Sequence, residues 1–291
     1  MRGAVFFGCL AVWIWTAHAA TLADARGHAV KLDKPAARIV SLAPHVTELV
    51  YAAGAGERLV AAVDFSDYPA AAKQLPRLGN ASHVDIERIV TLAPDLVIGW
   101  KTGNNPGDID KLEQLGIPVY VTETGTLSQI ASEIENIGDL AGTQPIASET
   151  AADFRRRLDE LRRRYAGREP VRVFYQIWER PLMTINDRHF IADSIRLCGG
   201  RNVFAAIEPI APAVSVEAVI AADPQVIVSS ASNEEGDSRL AAWRRWKTIT
   251  AVRLGNLFTI PPDVIERPTP RILGGVTQLC ELLDRARIQL K

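Results

Sequence analysis

Residues 84–98 read VDIERIVTLAPDLVI, and residues 214–228 repeat this pattern without gaps as VSVEAVIAADPQVIV. In both copies a residue suited to an N-cap, Asp85 or Ser215, precedes about two turns of helix. A proline then ends the helix ahead of an apolar run that is typical of a buried strand. Two copies of one helix–strand unit predict two similar lobes related by a pseudo-twofold axis.

Short β-branched runs alternate with helical stretches around both copies, which indicates parallel sheets flanked by helices. Strands are predicted at residues 38–42, 59–63, 96–100 and 119–121, and again at 173–176, 226–228 and 257–260. The predicted fold class is therefore α/β, with two Rossmann-like lobes that each contain a parallel-rich sheet.

The segment between the lobes carries apolar residues spaced by three and four beside a dense charged face. Acidic residues are interleaved with its arginine runs, 155–157 and 162–164, which favours a solvated surface over a nucleic-acid site. The predicted organisation is an N-terminal lobe at 36–143, one long linking helix at 144–168 and a C-terminal lobe at 169–291. A single helical connection predicts only modest closure of the lobes.

The first nineteen residues have the features of a cleavable secretion signal. Arg2 precedes an apolar run at residues 4–15, and Ala17-His18-Ala19 places small residues at the two positions that signal peptidase inspects. The run is shorter than the ~20 residues that a membrane-spanning helix needs. We therefore predict that residues 1–19 are a signal peptide and that the mature protein is exported.

The cysteines form a simple pattern once that segment is removed. Cleavage takes Cys9 away and leaves Cys198 and Cys280, an even pair in an oxidising compartment. One disulfide between them is predicted, and two unrelated buried thiols are the alternative.

Composition and motifs exclude several functional classes. A formal net charge of −1 does not supply the excess of positive charge that nucleic-acid binding requires. The sequence contains no GxSxG, GxxxxGK[ST] or HExxH pattern, and we interpret Gly54, Gly56 and Gly199–Gly200 as helix C-caps and not as phosphate cradles. The chain is predicted not to be an enzyme.

Glu87 and Glu217 occupy the same place in the two copies of the repeat. A carboxylate in the first turn of a helix is stabilised by the helix dipole, which explains each residue separately. Two acidic positions, one per lobe, could also engage arginines on a symmetric partner.

Short motifs along nearly the whole mature chain carry a resemblance to a known family. They are SLAP at 41–44 with TEL at 47–49, SDYP at 66–69, ERIV at 87–90 with PDLVI at 94–98, CGG at 198–200, ER at 266–267 and PR at 270–271. The chain resembles the ABC-transporter binding proteins with a long backbone helix, which carry cobalamin, haem or iron siderophores, and most closely the periplasmic cobalamin-binding proteins.

The resemblance implies a periplasmic binding protein that delivers a cobalamin-type corrinoid to a dimeric inner-membrane ABC permease. In that family each lobe presents one glutamate to the permease, and the matching residues here are Glu87 and Glu217. Cobalamin is then a transported ligand and not a permanently bound cofactor, and a monomer is expected. A haem or a ferric siderophore is the alternative ligand within the same fold.

Aromatic residues follow predicted strands in both lobes, where ligands of open α/β sheets bind. These are Tyr68 and Trp100 in the first lobe and Trp178 in the second. Their faces suit the flat, largely apolar corrin ring. The resemblance supports Tyr68 and Trp100 as ring contacts and places the loop from Asp263 to Arg267 at the cleft.

Three histidines, His45, His83 and His189, lie near predicted strand ends and are the weak candidates for a metal site. Three imidazoles that met in the cleft would bind zinc or haem iron. They come from separate segments and form no HxxxH pattern, so a histidine-based metal-binding protein is the less favoured alternative.

Overall fold

A computed structural model describes residues 20–231 and 239–291, so the predicted signal peptide at 1–19 lies outside the described residues. The strands are β1 Ala20–Ala23, β2 Ala29–Leu32, β3 Ile39–Ser41, β4 Leu59–Ala62, β5 Gly79–Asn80, β6 His83–Val84, β7 Leu96–Trp100, β8 Val119–Thr122, β9 Val171–Gln176, β10 Gly200–Asn202, β11 Val226–Ser230 and β12 Leu257–Ile260. The helices are α1 Pro44–Ala52, α2 Ile86–Thr91, α3 Pro106–Gln114, α4 Leu127–Ala141, α5 Gln144–Tyr165, α6 Phe190–Leu197, α7 Val216–Ala222, α8 Thr250–Arg253, α9 Pro262–Ile265 and α10 Ile272–Gln289. Within this part of the chain, no helix is long and apolar enough to cross a membrane.

Two four-stranded parallel sheets define the lobes. The first sheet has the order β4-β3-β7-β8 and the second has the order β10-β9-β11-β12. The strand of each repeat copy, β7 or β11, is an inner strand whose residues are almost all buried. This arrangement confirms the predicted α/β fold with two similar lobes.

The repeat helices begin as predicted. The side chain of Asp85 accepts a hydrogen bond from the backbone N–H of Arg88 at 2.9 Å, and Ser215 accepts one from Ala218 at 3.1 Å. Each cap satisfies a backbone donor that would otherwise lack a partner at the start of a helix. Both N-cap predictions are therefore confirmed.

Helix α5 connects the two sheets. Its buried residues recur every three, four or seven positions, so they form one stripe against the core: Ala147, Ala151, Phe154, Leu158 and Tyr165. That core is continuous through both lobes. The arginines on the other face are exposed. Some pair with acids of the same helix, such as Arg162 with Asp159 at 3.2 Å, and Arg155 pairs with Glu135 of α4 at 2.6 Å.

The disulfide predicted between Cys198 and Cys280 is present, with the two Cα atoms 4.7 Å apart. It joins the end of α6 to the middle of α10, and both cysteines are fully buried. The alternative of two unrelated thiols is therefore wrong.

Several short elements differ from the sequence-based interpretation. The two-stranded sheets β1–β2 and β5–β6 and the edge strand β10 were not predicted, because they are short and lack an apolar run. Gly56 begins a 3₁₀ turn at Gly56–Arg58, and Gly200 begins β10, so neither is a helix C-cap. Gly54 and Gly199 do follow helices in the left-handed region, with φ of 78° and 70°.

Candidate functional site between the lobes

Loops at the carboxyl ends of the first sheet lie against a loop of the second lobe. In the first lobe the contacts come from α1, which follows β3, and from the loop after β4, and Trp100 at the end of β7 packs beside them against His45. The second lobe contributes the segment that leads from α9 into α10. We call the group that meets here the interlobe site; its members are His45, Glu48, Phe65, Tyr68, Trp100, Arg267 and Arg271.

Buried hydroxyl groups hold the first-lobe part of the site together. The Oγ1 atom of Thr47 lies 2.9 Å from the Oγ of Ser41 and 3.1 Å from the Oγ of Ser66. Nearby, Nη1 of Arg77 donates to the backbone carbonyls of Val63 and Ser66. The end of β3, the start of α1 and the loop after β4 therefore share one hydrogen-bond network.

Tyr68 and Phe65 form an aromatic rim on the loop after β4. Tyr68 is 47% exposed and Phe65 is 70% exposed, so neither is a core residue. The guanidinium carbon of Arg271 lies 4.1 Å from the centroid of the Tyr68 ring. Phe65 was not selected from the sequence, although it follows the same strand as Tyr68.

Trp100 lies at the end of β7 in a closely fitted position. Its ring meets the edge of His45 with centroids 5.1 Å apart, and it covers Gly103, where an added Cβ would lie 1.8 Å from the ring. Its backbone N–H donates to Asn104, whose amide in turn donates to the carbonyls of Leu42 and Ala81. The neighbouring loops thus fix where the indole points.

His45 is a neutral side chain in this site. Burial, together with the nearby charge of Arg267, lowers its pKa from 6.5 to about 3. At neutral pH the imidazole is therefore uncharged, and it packs against Trp100 beside the arginine without repelling it.

This pKa predicts a specific acid sensitivity. In the unfolded chain His45 binds a proton below about pH 6.5, whereas in the folded chain it stays neutral down to about pH 3. The free energy of unfolding therefore falls as the pH falls from 6.5 to 3. Between pH 6 and 4, wild type should lose about 1.4 kcal/mol per pH unit relative to His45→Gln.

Urea denaturation of both proteins across this range measures the effect. The buried carboxyl of Glu133, whose raised pKa is about 7, acts in the opposite direction, but it is present in both proteins and cancels in the difference. Parallel pH profiles would contradict the assignment of a neutral, buried His45.

Of the predicted second-lobe contacts, Arg267 belongs to the interlobe site. Its Nη1 donates to Glu48 at 3.0 Å and its Nη2 donates to the carbonyl of Phe65 at 3.1 Å. Asp263 is exposed on α9, and its charge, after the larger influence of Glu48, helps to raise the pKa of Arg271. The structure therefore brings Tyr68, Trp100 and Arg267 together, with Asp263 in electrostatic reach.

Trp178 lies apart from that group. It is 55% exposed just beyond β9, and its Nε1 donates to the carbonyl of Arg180 at 3.2 Å. Arg239 lies 5.9 Å from its ring centroid. Both partners belong to the second lobe, so Trp178 offers an open aromatic face on that side.

Two acidic residues near these loops belong to the quoted motifs, but neither was given a role of its own from the sequence. Glu48 is buried on α1, and Glu266 bonds to the hydroxyl of Ser230 at the end of β11. Burial raises the pKa of Glu266. The signal for Glu48 was available, because a carboxylate within the apolar helix PHVTELVYA needs a buried partner.

The three histidines do not form a metal site. His45 is buried beside Trp100, His83 is exposed, and Nδ1 of His189 accepts a hydrogen bond from the backbone N–H of Ile191 at the start of α6. Across residues 20–231 and 239–291, no group of three His, Cys, Asp or Glu side chains could hold a metal ion.

Glu87 and Glu217 are both exposed in the first turns of α2 and α7. Hydrogen bonds from its own backbone N–H and from Ser215 lower the pKa of Glu217. Each lobe therefore presents an accessible glutamate in the first turn of a capped helix.

Comparison with known proteins identifies a family and several similar proteins. The periplasmic binding protein family profile matches residues 39–264. A vitamin B12-binding protein of Vibrio cholerae is 43% identical over 256 residues, which cover 88% of this chain and 92% of the relative. The solved periplasmic vitamin B12 binding protein of Vibrio cholerae covers 87% of this chain and 98% of its own, with 42% identity and a TM-score of 0.81. A periplasmic haem-binding protein from Pseudomonas aeruginosa covers 84% of this chain and 91% of its own, with 26% identity and a TM-score of 0.72.

Proposed function

Because this chain belongs to the periplasmic binding protein family, we propose that it binds vitamin B12 or a closely related corrinoid in the periplasm and delivers it to an inner-membrane ABC importer. The observation that carries the proposal is the 43% identity to a vitamin B12-binding protein over 88% of the chain. Membership of a family of binding proteins confirms the prediction that the chain is not an enzyme.

The chemistry of the interlobe site supports a corrinoid. Phe65 and Tyr68 expose aromatic faces on the loop after β4, and the Trp100 ring lies at the end of β7 in the same sheet. Such faces suit a flat and largely apolar macrocycle. A corrin ring is edged with amides, and Arg267 and Asp263 supply a donor and an acceptor of the kind that amides require.

The second lobe completes the proposed cleft. Trp178, which is exposed on the second lobe, is proposed to offer a fourth aromatic face to the ligand. The lobes share one core along α5, which favours a largely preformed cleft and only modest closure.

Delivery is proposed to use Glu87 and Glu217. One exposed carboxylate on each lobe matches the symmetry of a dimeric permease, and charge-assisted bonds to arginines would align the two proteins. Export by the segment at 1–19 is proposed to bring the chain to the periplasm.

Calorimetric titration of the mature protein with cyanocobalamin tests the ligand. We expect saturable one-to-one binding that Trp100→Ala weakens by at least about tenfold, since a central aromatic contact is lost. Phe258→Ala is the matched control, because its ring on β12 packs beneath Arg285 in the second lobe, away from the interlobe site.

Haemin and a ferric hydroxamate are titrated in parallel. Binding of haemin without binding of cyanocobalamin would retain the family and the fold but would refute the corrinoid ligand. Equal weakening by Trp100→Ala and Phe258→Ala would refute the placement of the ligand at Trp100.

A further inference from the structure

One buried carboxylate joins the two lobes at the interlobe site. Glu48 lies on α1 of the first lobe and is 4% exposed. Its Oε1 accepts from Arg267 at 3.0 Å and from Arg271 at 2.6 Å, and its Oε2 accepts from Arg271 and Thr269, each at 2.9 Å. All three donors belong to the second lobe, between 219 and 223 residues further along the chain.

The bonds to Glu48 restrict how the two lobes can be oriented relative to each other. A buried charge is tolerated only when it is paired and hydrogen-bonded. Since all four bonds to Glu48 come from the other lobe, any rotation that separated the lobes here would leave the charge buried and unpaired. The donors also include a bidentate arginine, which restricts orientation as well as distance.

The same contacts orient groups of the proposed ligand site. Arg267 is held between Glu48 and the carbonyl of Phe65. Arg271, held by Glu48 on two nitrogen atoms, lies over the ring of Tyr68 at 4.1 Å. The aromatic rim and the arginine donor therefore both depend on one carboxylate.

We propose that Glu48 is a positioning residue for ligand binding: it sets the relative position of the lobes at the interlobe site and holds Arg267 and Tyr68 in their ligand-binding arrangement. This role rests on the proposed function only for its effect on the ligand, because the interlobe bonds themselves do not depend on the identity of the ligand.

Glu48→Gln tests this role, because the side chain keeps its size and loses its charge. Asp24→Asn is the matched control: Asp24 is also a buried carboxylate paired with an arginine, Arg26 at 2.7 Å, but both residues lie on the turn between β1 and β2 and outside the interlobe site. Thr269→Val is a milder variant that removes a single bond to Glu48.

Two measurements separate positioning from general stabilisation. The first is the dissociation rate of cyanocobalamin. The second is the distance distribution between spin labels on cysteines introduced at exposed Lys111 on α3 and exposed Arg201 on β10. The native cysteines are disulfide-bonded and do not react with the label.

We expect Glu48→Gln to release cyanocobalamin about tenfold faster and to broaden the label distances, with a smaller change in the same direction for Thr269→Val. Asp24→Asn should match wild type in both measurements. The proposal is overturned if Glu48→Gln keeps the wild-type release rate and label distances, even if its melting temperature falls as much as that of Asp24→Asn. If wild type does not bind cyanocobalamin, the proposed function fails, whereas the label distances still test the role of Glu48 in lobe position.

Discussion

Replacing both Glu87 and Glu217 by arginine is expected to abolish vitamin B12 uptake while the affinity of the purified protein for vitamin B12 stays unchanged. Both carboxylates are exposed at helix starts, and neither is a member of the interlobe site. In the proposed docking, charge reversal would place arginines of this protein against arginines of the permease, and like charges at an interface cost several kcal/mol. We therefore expect uptake to fall by about a hundredfold or more.

The measurement compares uptake of labelled cyanocobalamin in cells that carry each variant as their only copy of this protein. Glu149→Arg with Glu160→Arg is the matched control, since both residues are exposed acids on α5 and the charge change is identical. Calorimetry on the purified variants checks ligand affinity. Wild-type uptake by the Glu87 and Glu217 variant would refute docking through these residues.

Removing the disulfide by Cys198→Ala with Cys280→Ala is expected to reduce the free energy of unfolding by about 4.5 kcal/mol. The bond closes a loop with a sequence separation of 82 residues, and without it the unfolded chain gains the conformational entropy of that loop. Because domains are typically stable by only ~5–15 kcal/mol, this loss is a large fraction of the total.

Urea denaturation of the mature protein at pH 7 measures this loss. Reduced wild type is the control, since it keeps both sulfur atoms and lacks only the bond, and it should unfold close to the double variant. A loss below about 1 kcal/mol would show that the loop is already constrained in the unfolded state.

Much of the fold was predictable because its signals are local. The caps Asp85 and Ser215 and the proline stops mark the repeat helices within a few residues. The inner strands are apolar runs that need no distant partner to be recognised. Strand β10, with the sequence GRN, carries no such signal, because an edge strand is defined by the neighbour that it pairs with.

The sequence could predict only in part which of the proposed ligand residues lie near one another. Tyr68, Trp100 and Trp178 follow strands, and parallel strands bring their carboxyl ends to one edge of a sheet. This rule does not predict which of the aromatic residues lie on the same surface. Tyr68 and Trp100 lie in one group with Arg267, whereas the contacts of Trp178 are with its own lobe.

By itself, the sequence determined the two-lobed α/β class, the helix starts, the pairing of two cysteines and the relationship to a family of binding proteins. Only the tertiary structure decided that Glu48 bonds to Arg267, Thr269 and Arg271, and that His45 is held neutral against Trp100. The reason is physical: caps and apolar periodicity act over a few residues along the chain, whereas the partner of a buried charge is set by how distant loops meet after folding.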